Sequence, residues 1–283
     1  MYTLIISIIC SVAVSVLLKI ARAKNIQVEQ AIAVNYVVAA ALCMLVLRPS
    51  PASLLSPSTP WWVLIALGIL LPTIFLAMAG AVRHAGIVLS DTAQRLSLFI
   101  PLIAAFVLFG ESVSGSKLAG IAVALVALAC LLVRPRQAAG GSGETRIAAL
   151  LLLAVWVGYG TIDILFKQMA KSGAAFSSSL LVAFALAGAL IFLHLILKRT
   201  AWTRRNIVAG IALGLLNFGN IYFYIRAHQV FPENPTLVFS AMNIGVISAG
   251  TLVGAGLFKE RLSWINVLGI VLAVSAIVIL VPR

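Results

Sequence analysis

The chain has 283 residues, of which 63% are hydrophobic and 10% charged, with a mean hydropathy of +1.15. Soluble domains run at about 45–50% apolar and about 25% charged residues, so this composition excludes one and points to an integral membrane protein. A formal net charge of +13 fits basic loops facing anionic lipid headgroups, and no basic run is interleaved with aromatics, so nucleic acid is not an expected partner.

The N-terminal run MYTLIISIICSVAVSVLLK has no charged side chain before Lys19. It therefore lacks the basic start of a cleavable signal peptide and reads as a first span. A helix needs roughly 20 apolar residues to cross ~30 Å of hydrocarbon. Ten such segments follow in order, at 2–21, 29–47, 61–82, 86–109, 115–133, 146–169, 177–197, 206–227, 235–257 and 263–281. The expected fold class is all-α and integral to the membrane, with ten transmembrane helices. Cys10, Cys43 and Cys130 all fall within apolar runs and read as small buried hydrophobes. The stretches RPSPASLLSPSTP (48–60) and RPRQAAGGSGETR (134–146) are turn-rich and read as connections.

The second connection divides the chain almost in half, and the halves resemble each other. FGESVSGSKLAGIAVALVALACL (109–131) lies over FKERLSWINVLGIVLAVSAIVIL (258–280) at an offset of 149 without a gap. Phe109/Phe258, Glu111/Glu260, Ser114/Ser263, Gly120/Gly269, Ile121/Ile270, Ala124/Ala273, Ala127/Ala276 and Leu131/Leu280 are identical. Such similarity at long period marks a duplicated unit, here residues 1–134 and 146–283 joined by a linker at 135–145. Five spans per unit make the second copy enter from the opposite side, giving two inverted five-helix repeats, an arrangement common in secondary transporters. Thirteen of the twenty lysines and arginines fall on the side away from the N-terminus. The positive-inside rule then puts both termini outside the cytoplasm, in a membrane expected to be the bacterial inner one.

The ten spans, the duplicated halves and the paired F-x-E-x-x-S-x-x-x-x-x-G-I signature resemble the drug/metabolite transporter superfamily, specifically its EamA-type branch. The runs LLKIARAKNIQVEQAIAVNYVVA and AQRLSLFIPLIAAFVLFGE also look like bacterial members of that branch. The resemblance covers essentially the whole chain. It implies a ten-helix bundle with a central cavity between two five-helix halves, in which spans five and ten are peripheral. The motif speaks for fold and not for substrate.

The residues themselves point to one segment first. The fourth span carries Asp91, Gln94, Arg95 and Ser97, then Pro101. An ionisable residue there is costly and is a functional hypothesis by default. At ~1.5 Å per residue from Gly86, Arg95 lies about 13 Å in, close to the midplane. Asp91 is one turn away and can pair with it. Pro101 lacks an N–H, which leaves the Ser97 carbonyl without its helical partner. Arg95 is read as binding an anionic group of a substrate, with Asp91 tuning it or exchanging a proton. The competing reading is a structural ion pair.

At the repeat offset Gln94 aligns with Asn243, while Arg95 aligns with Ile244. Asn217, Asn220 and Tyr224 form a polar stripe on the eighth span, suited to a ligand or to holding helices together. On the sixth span Tyr159, Asp163 and Lys167 recur at helical spacing, with Asp163 and Lys167 as a charge pair or coupling site. Lys19 and Lys167 lie near span ends, from where their stems can snorkel. Asn35 and Tyr36 read as packing residues, as do Gly210/Gly214 and Gly250/Gly254. Glu111 and Glu260 precede the N-caps Ser114 and Ser263, where the macrodipole favours a carboxylate. No metal-ligand spacing, activated nucleophile or phosphate-binding glycine loop is present, so no catalytic residue, metal or cofactor is expected.

The reading that follows is a secondary transporter, not an enzyme, that moves a small polar or anionic metabolite by alternating access. The substrate, the lipid bilayer and protons are its expected partners, with a homodimer as a further one. One alternative is a proton-driven exporter of drugs or amino acids. Another, from a different class, is a membrane-embedded enzyme or structural membrane protein. A reporter fused after Arg283 should be active only when it is of a type that works outside the cytoplasm; activity from a cytoplasmic reporter reverses the orientation.

Overall fold

Inside hydrocarbon a backbone N–H or C=O has no water to bond, so apolar segments of this length satisfy their polar groups internally as helices. The computed structural model describes residues 1–24, 26–50, 52, 59–85, 87–132, 145–171, 176–258 and 263–281, without the side chains of residues 19, 22, 23, 87, 88, 91, 132, 145 and 258. Lys259, Glu260 and Arg261 thus lie outside the described residues, as does the side chain of Asp91. The helices are α1 (Tyr2–Ala23), α2 (Val28–Leu42) continued by a π-helical turn (Cys43–Leu47), α3 (Trp61–Ala85), α4 (Ile87–Leu96) and α5 (Phe99–Val107). They continue as α6 (Gly115–Leu132), α7 (Thr145–Ala170), α8 (Phe176–Leu197), α9 (Arg204–Val230), α10 (Pro235–Phe258) and α11 (Trp264–Leu280). No strand occurs among the described residues.

Six stretches are long and apolar enough to cross a membrane: Val28–Leu47, Trp61–Ala85, Arg146–Ala170, Phe176–Leu197, Arg204–Val230 and Pro235–Leu257. Shorter apolar helices at Tyr2–Leu18, Thr92–Val107, Gly115–Leu131 and Trp264–Leu280 occupy the other four predicted spans. The protein is therefore a helical membrane protein. α3 runs through Pro72 without interruption, whereas the fourth predicted span is divided into α4 and α5.

Two compact units form, one from Met1–Leu76 with Ile164–Val230 and the other from Ala77–Asp163 with Phe231–Arg283. Each draws on both sides of the 135–145 linker, so the packing units are not the sequence repeats.

In the first unit α2 and α9 run side by side in the same direction. A Cβ on Gly210 would stand 2.5 Å from Val34 Cβ, and one on Gly214 would stand 2.6 Å from Val38 Cβ. The predicted Gly210/Gly214 face is thus a backbone-to-backbone contact, which small residues make possible. Gly250 meets nothing within 4 Å, so a glycine at that spacing does not by itself make a contact. At the starts of α2 and α9, Asn206 Nδ2 donates to Gln30 Oε1 at 2.8 Å, and Gln30 Nε2 donates to Ala201 O at 2.7 Å. α8 packs antiparallel to α2, with Cys43 Sγ donating to Ser177 O at 3.3 Å and the Tyr36 ring 6.4 Å from that of Phe184. α1 lies antiparallel to α9, with Ser7 near Asn220 and Cys10 near Gly219.

The second unit is closed by a seam between α6 and α11. A Cβ on Gly120 would meet Leu280 Cγ at 2.7 Å and Ile279 Cγ2 at 3.4 Å, while one on Gly269 would meet Leu131 Cγ at 2.8 Å and Cys130 Cβ at 3.0 Å. Gly120/Gly269, Cys130/Ile279 and Leu131/Leu280 are each 149 residues apart, so the contacts are reciprocal. Ala124, Ala127, Ala273 and Ala276 are buried between them. The two helix starts are capped as expected. Lys117 N donates to Ser114 Oγ at 3.3 Å, and Ser263 and Asn266 form a reciprocal capping box.

Glu111 departs from expectation. Gly110, at φ +66°, adopts the left-handed turn that glycine tolerates. Glu111 then accepts from Thr236 N at 2.9 Å and Thr236 Oγ1 at 2.7 Å, and pairs with Lys117 Nζ at 3.1 Å. Its carboxylate thus answers the N-terminus of α10 as well as the start of its own helix α6.

Gly214→Val should destabilise the purified protein by about 1–3 kcal/mol through overpacking, read as a lower melting temperature in detergent. Gly250→Ala should melt with the native protein, and an equal loss in both would refute the α2–α9 contact.

Candidate functional site

The most unusual backbone in the second unit is the break at Ser97 and Leu98 between α4 and α5. Pro101 cannot donate a hydrogen bond, and the helix answers by tightening. Ile100 N–H turns to Ser97 O at 3.0 Å, and Leu98 N–H to Arg95 O at 3.3 Å. The Ser97 carbonyl expected to be free is therefore bonded. The carbonyls displaced are those of Leu96 and Gln94, four residues before Ile100 and Leu98. Each finds a side chain: Trp156 Nε1 donates to Leu96 O at 3.0 Å, and Ser97 Oγ donates to Gln94 O at 2.6 Å.

α7 is shaped to reach this break. One turn after Trp156, Gly160 lacks a side chain where a Cβ would stand 2.6 Å from Ile100 Cβ. Trp156 and Gly160 thus dock one face of α7 against both sides of the break. Arg95, in the last turn of α4, is half-buried beside it. Gln94 is also half-buried, and Ser97 is fully buried. Asn243, the repeat counterpart of Gln94, donates from Nδ2 to Phe239 O of its own helix at 3.1 Å. A cation at a bonded helix break is an arrangement that can hold an anionic group without exposing unsatisfied backbone.

The first unit holds the other predicted residues. Ser7 Oγ donates toward both Asn220 O and Asn220 Oδ1 at 2.9 Å, so Asn220 joins α9 to α1. Asn217 and Tyr224 are buried, as are Asn35 and Tyr36. The Tyr224 ring lies 6.1 Å from Phe166, edge to face, and 4.9 Å from His228. Lys167 corrects the snorkelling expectation: it is only 1% exposed. Its side chain turns into the protein, and it is an electrostatic neighbour of His228. Asp163, which belongs to the second unit, is half-buried one turn earlier on α7.

Sequence reasoning missed Trp156 and His228. The Trp156 partner, Leu96, lies on another helix 60 residues away, and nothing local signals that contact; His228 meets Tyr224 one turn earlier on its own helix. Among the described residues no group of three or more His, Cys, Asp or Glu side chains could hold a metal ion. The cysteines are free.

No protein-family model matches the chain. An uncharacterised protein of Haemophilus influenzae is 53% identical over 282 residues, which is 98% of this chain and 96% of that protein. A solved crystal structure of a protein 16% identical in sequence matches with a TM-score of 0.77 over 99% of this chain and 95% of its own. At that identity the match speaks for the fold alone.

Trp156→Phe removes the donor to Leu96 O and leaves a carbonyl unsatisfied, at a cost of about 1–3 kcal/mol. Amide hydrogen exchange across residues 94–100 should then speed up between about fivefold and a hundredfold, with the α6–α11 seam unaffected. Unchanged exchange at 94–100 would show that the indole does not hold the break.

Proposed function

With this chain belonging to one family with the uncharacterised Haemophilus influenzae protein, we propose that it is a secondary transporter of a small polar or anionic metabolite. The observation that carries this reading is the bonded break between α4 and α5 with Arg95 in its last turn. Interrupted helices in membrane proteins build substrate sites in transporters, and a charge within such a segment marks a pathway or ligand. Arg95 binds the anionic group, Gln94 and Asn243 offer amides to a polar one, and Asp91 and Asp163 are the candidates for proton coupling.

The chain crosses the membrane ten times as two inverted five-helix repeats of the EamA type and works by alternating access. The reciprocal Gly120–Leu280 and Gly269–Leu131 contacts support this, because matched positions that exchange partners are the mark of a two-fold relation. The bacterial inner membrane, with both termini outside the cytoplasm, is the proposed location.

A thermal-shift screen of the purified protein against metabolites should find a solute that raises its melting temperature, since a ligand bound only to the native state stabilises it. In proteoliposomes that solute should show saturable flux. Arg95→Ala should abolish both effects while leaving the ligand-free melting near native. Normal flux in Arg95→Ala would remove Arg95 from the site, and no flux of any stabilising solute would remove the transport reading.

A further inference from the structure

The connection between α8 and α9 in the first unit is tied down along its length. At the end of α8, Arg199 N–H donates to Ile196 O at 3.0 Å and Thr200 N–H to Leu195 O at 3.2 Å, the bonds of a left-handed C-terminal cap. Glycine is the usual residue at the left-handed position of such a cap, and here it is Arg199, at φ +51°. A Cβ is disfavoured there, so the turn carries an arginine against its conformational preference. Beyond it, Gln30 of α2 donates to Ala201 O at 2.7 Å and accepts from Thr203 N at 3.4 Å, and the Trp202 ring stacks on Phe192 at 5.6 Å. Thr203 Oγ1 then accepts from Asn206 N at 3.4 Å as the cap of α9, which begins with Arg204 and Arg205.

Four cations, Lys198, Arg199, Arg204 and Arg205, thus follow one another around this turn with no acid among them. Glu29, the one acidic residue in the sequence of the unit, is engaged by Lys198 Nζ at 3.0 Å. Arg199, Arg204 and Arg205 are exposed, and none has a hydrogen bond or ion pair with a described residue. Below Arg204, Ile207, Val208, Ile211 and Leu215 are exposed as well. Their spacing puts all four on the face of α9 that Arg204 heads. An exposed aliphatic face in a membrane protein meets acyl chains, and Trp202, 43% exposed beside Arg204, is the type of residue that settles at headgroup level. The free arginines therefore stand where lipid phosphates lie.

A headgroup at the membrane surface needs no enclosed cavity, because the bilayer holds the molecule and the protein selects its charge. Arginine suits a phosphate, since its planar guanidinium donates two parallel charge-assisted hydrogen bonds. We propose that Arg199, Arg204 and Arg205 form a seat for the phosphate of an anionic phospholipid whose acyl chains lie along the aliphatic face of α9. The seat is separate from Arg95 and does not require the transport reading to hold. The rival role is attraction of anionic lipid by the overall positive charge, which favours no one position.

Phosphatidylglycerol is the probe, and phosphatidylcholine with the same acyl chains is the reference. Each is added in increasing amounts to the full-length protein in a nonionic detergent, and apparent affinity is read from the rise in melting temperature. Phosphatidylglycerol should bind more tightly than phosphatidylcholine. Arg204→Gln with Arg205→Gln should weaken it about tenfold or more and leave the response to phosphatidylcholine unchanged. Lys171→Gln with Arg226→Gln, which removes as much charge near the ends of α7 and α9, should keep the native affinity. Arg199→Gly should weaken phosphatidylglycerol several-fold while lipid-free melting stays level or rises, because glycine takes the left-handed turn without strain.

A native protein that does not distinguish the two lipids overturns the proposal. Equal losses in the two double variants do the same, since they assign the attraction to overall charge. So does inorganic phosphate matching the phosphatidylglycerol shift, which makes the ligand a free anion, and so does an Arg199→Gly variant that melts lower without lipid and keeps the native lipid affinity.

Discussion

A carbonyl in hydrocarbon has no water to turn to, and this constraint shapes the helix break and the helix starts described above. The α4–α5 break survives because the two carbonyls displaced by Pro101 meet a serine hydroxyl and a tryptophan indole. The start of α10 is answered by a glutamate from the α5–α6 connection, and the starts of α2 and α9 by a glutamine and an asparagine that bond each other. In each case the polar side chain comes from a different turn or helix than the backbone it serves. The donors are therefore long-range ties as well as caps, and removing one loosens a helix pair along with a helix end.

Close approach is the second theme, and it depends on the absence of side chains. With lipid tails as apolar as leucine, helices associate by shape and not by escape from water. Gly210 and Gly214 let α9 lie against the backbone of α2, and Gly160 lets α7 reach the break. The α6–α11 seam extends this to an alanine-lined face. Four of the eight identities shared by the two copies, Gly120/Gly269, Ala124/Ala273, Ala127/Ala276 and Leu131/Leu280, are on that face. In this stretch the duplication is best preserved where one copy touches the other.

Segment length and hydropathy made the helices legible, because spanning hydrocarbon is a constraint on consecutive residues. Pro101 marked the break to within a turn. The sequence pointed to the wrong carbonyl, since the Ile100 N–H was free to shift from one acceptor to the next. Ser114 and Ser263 could be read as caps because capping is local. The partners of Trp156 and of Glu111 could not, since each contact joins distant elements. Lys167 shows the limit most clearly. A lysine one turn from a helix end has the same local sequence whether its stem snorkels outward or turns in, and only the surrounding helices decide. Gly214 and Gly250 make the same point for packing, since identical spacing gave a tight contact in one place and open space in the other.

The packing also orders events in time. α2 meets α8 and α9, α1 meets α9, and α6 meets α10 and α11, so the principal partners lie on opposite sides of the linker. During synthesis the early helices enter the bilayer well before the helices that will cover them exist. The glycine and alanine face of α6 has no α11 to cover it until that later helix is made. Biogenesis thus separates insertion from assembly, and a chain truncated before α11 would be left with its second unit unsealed.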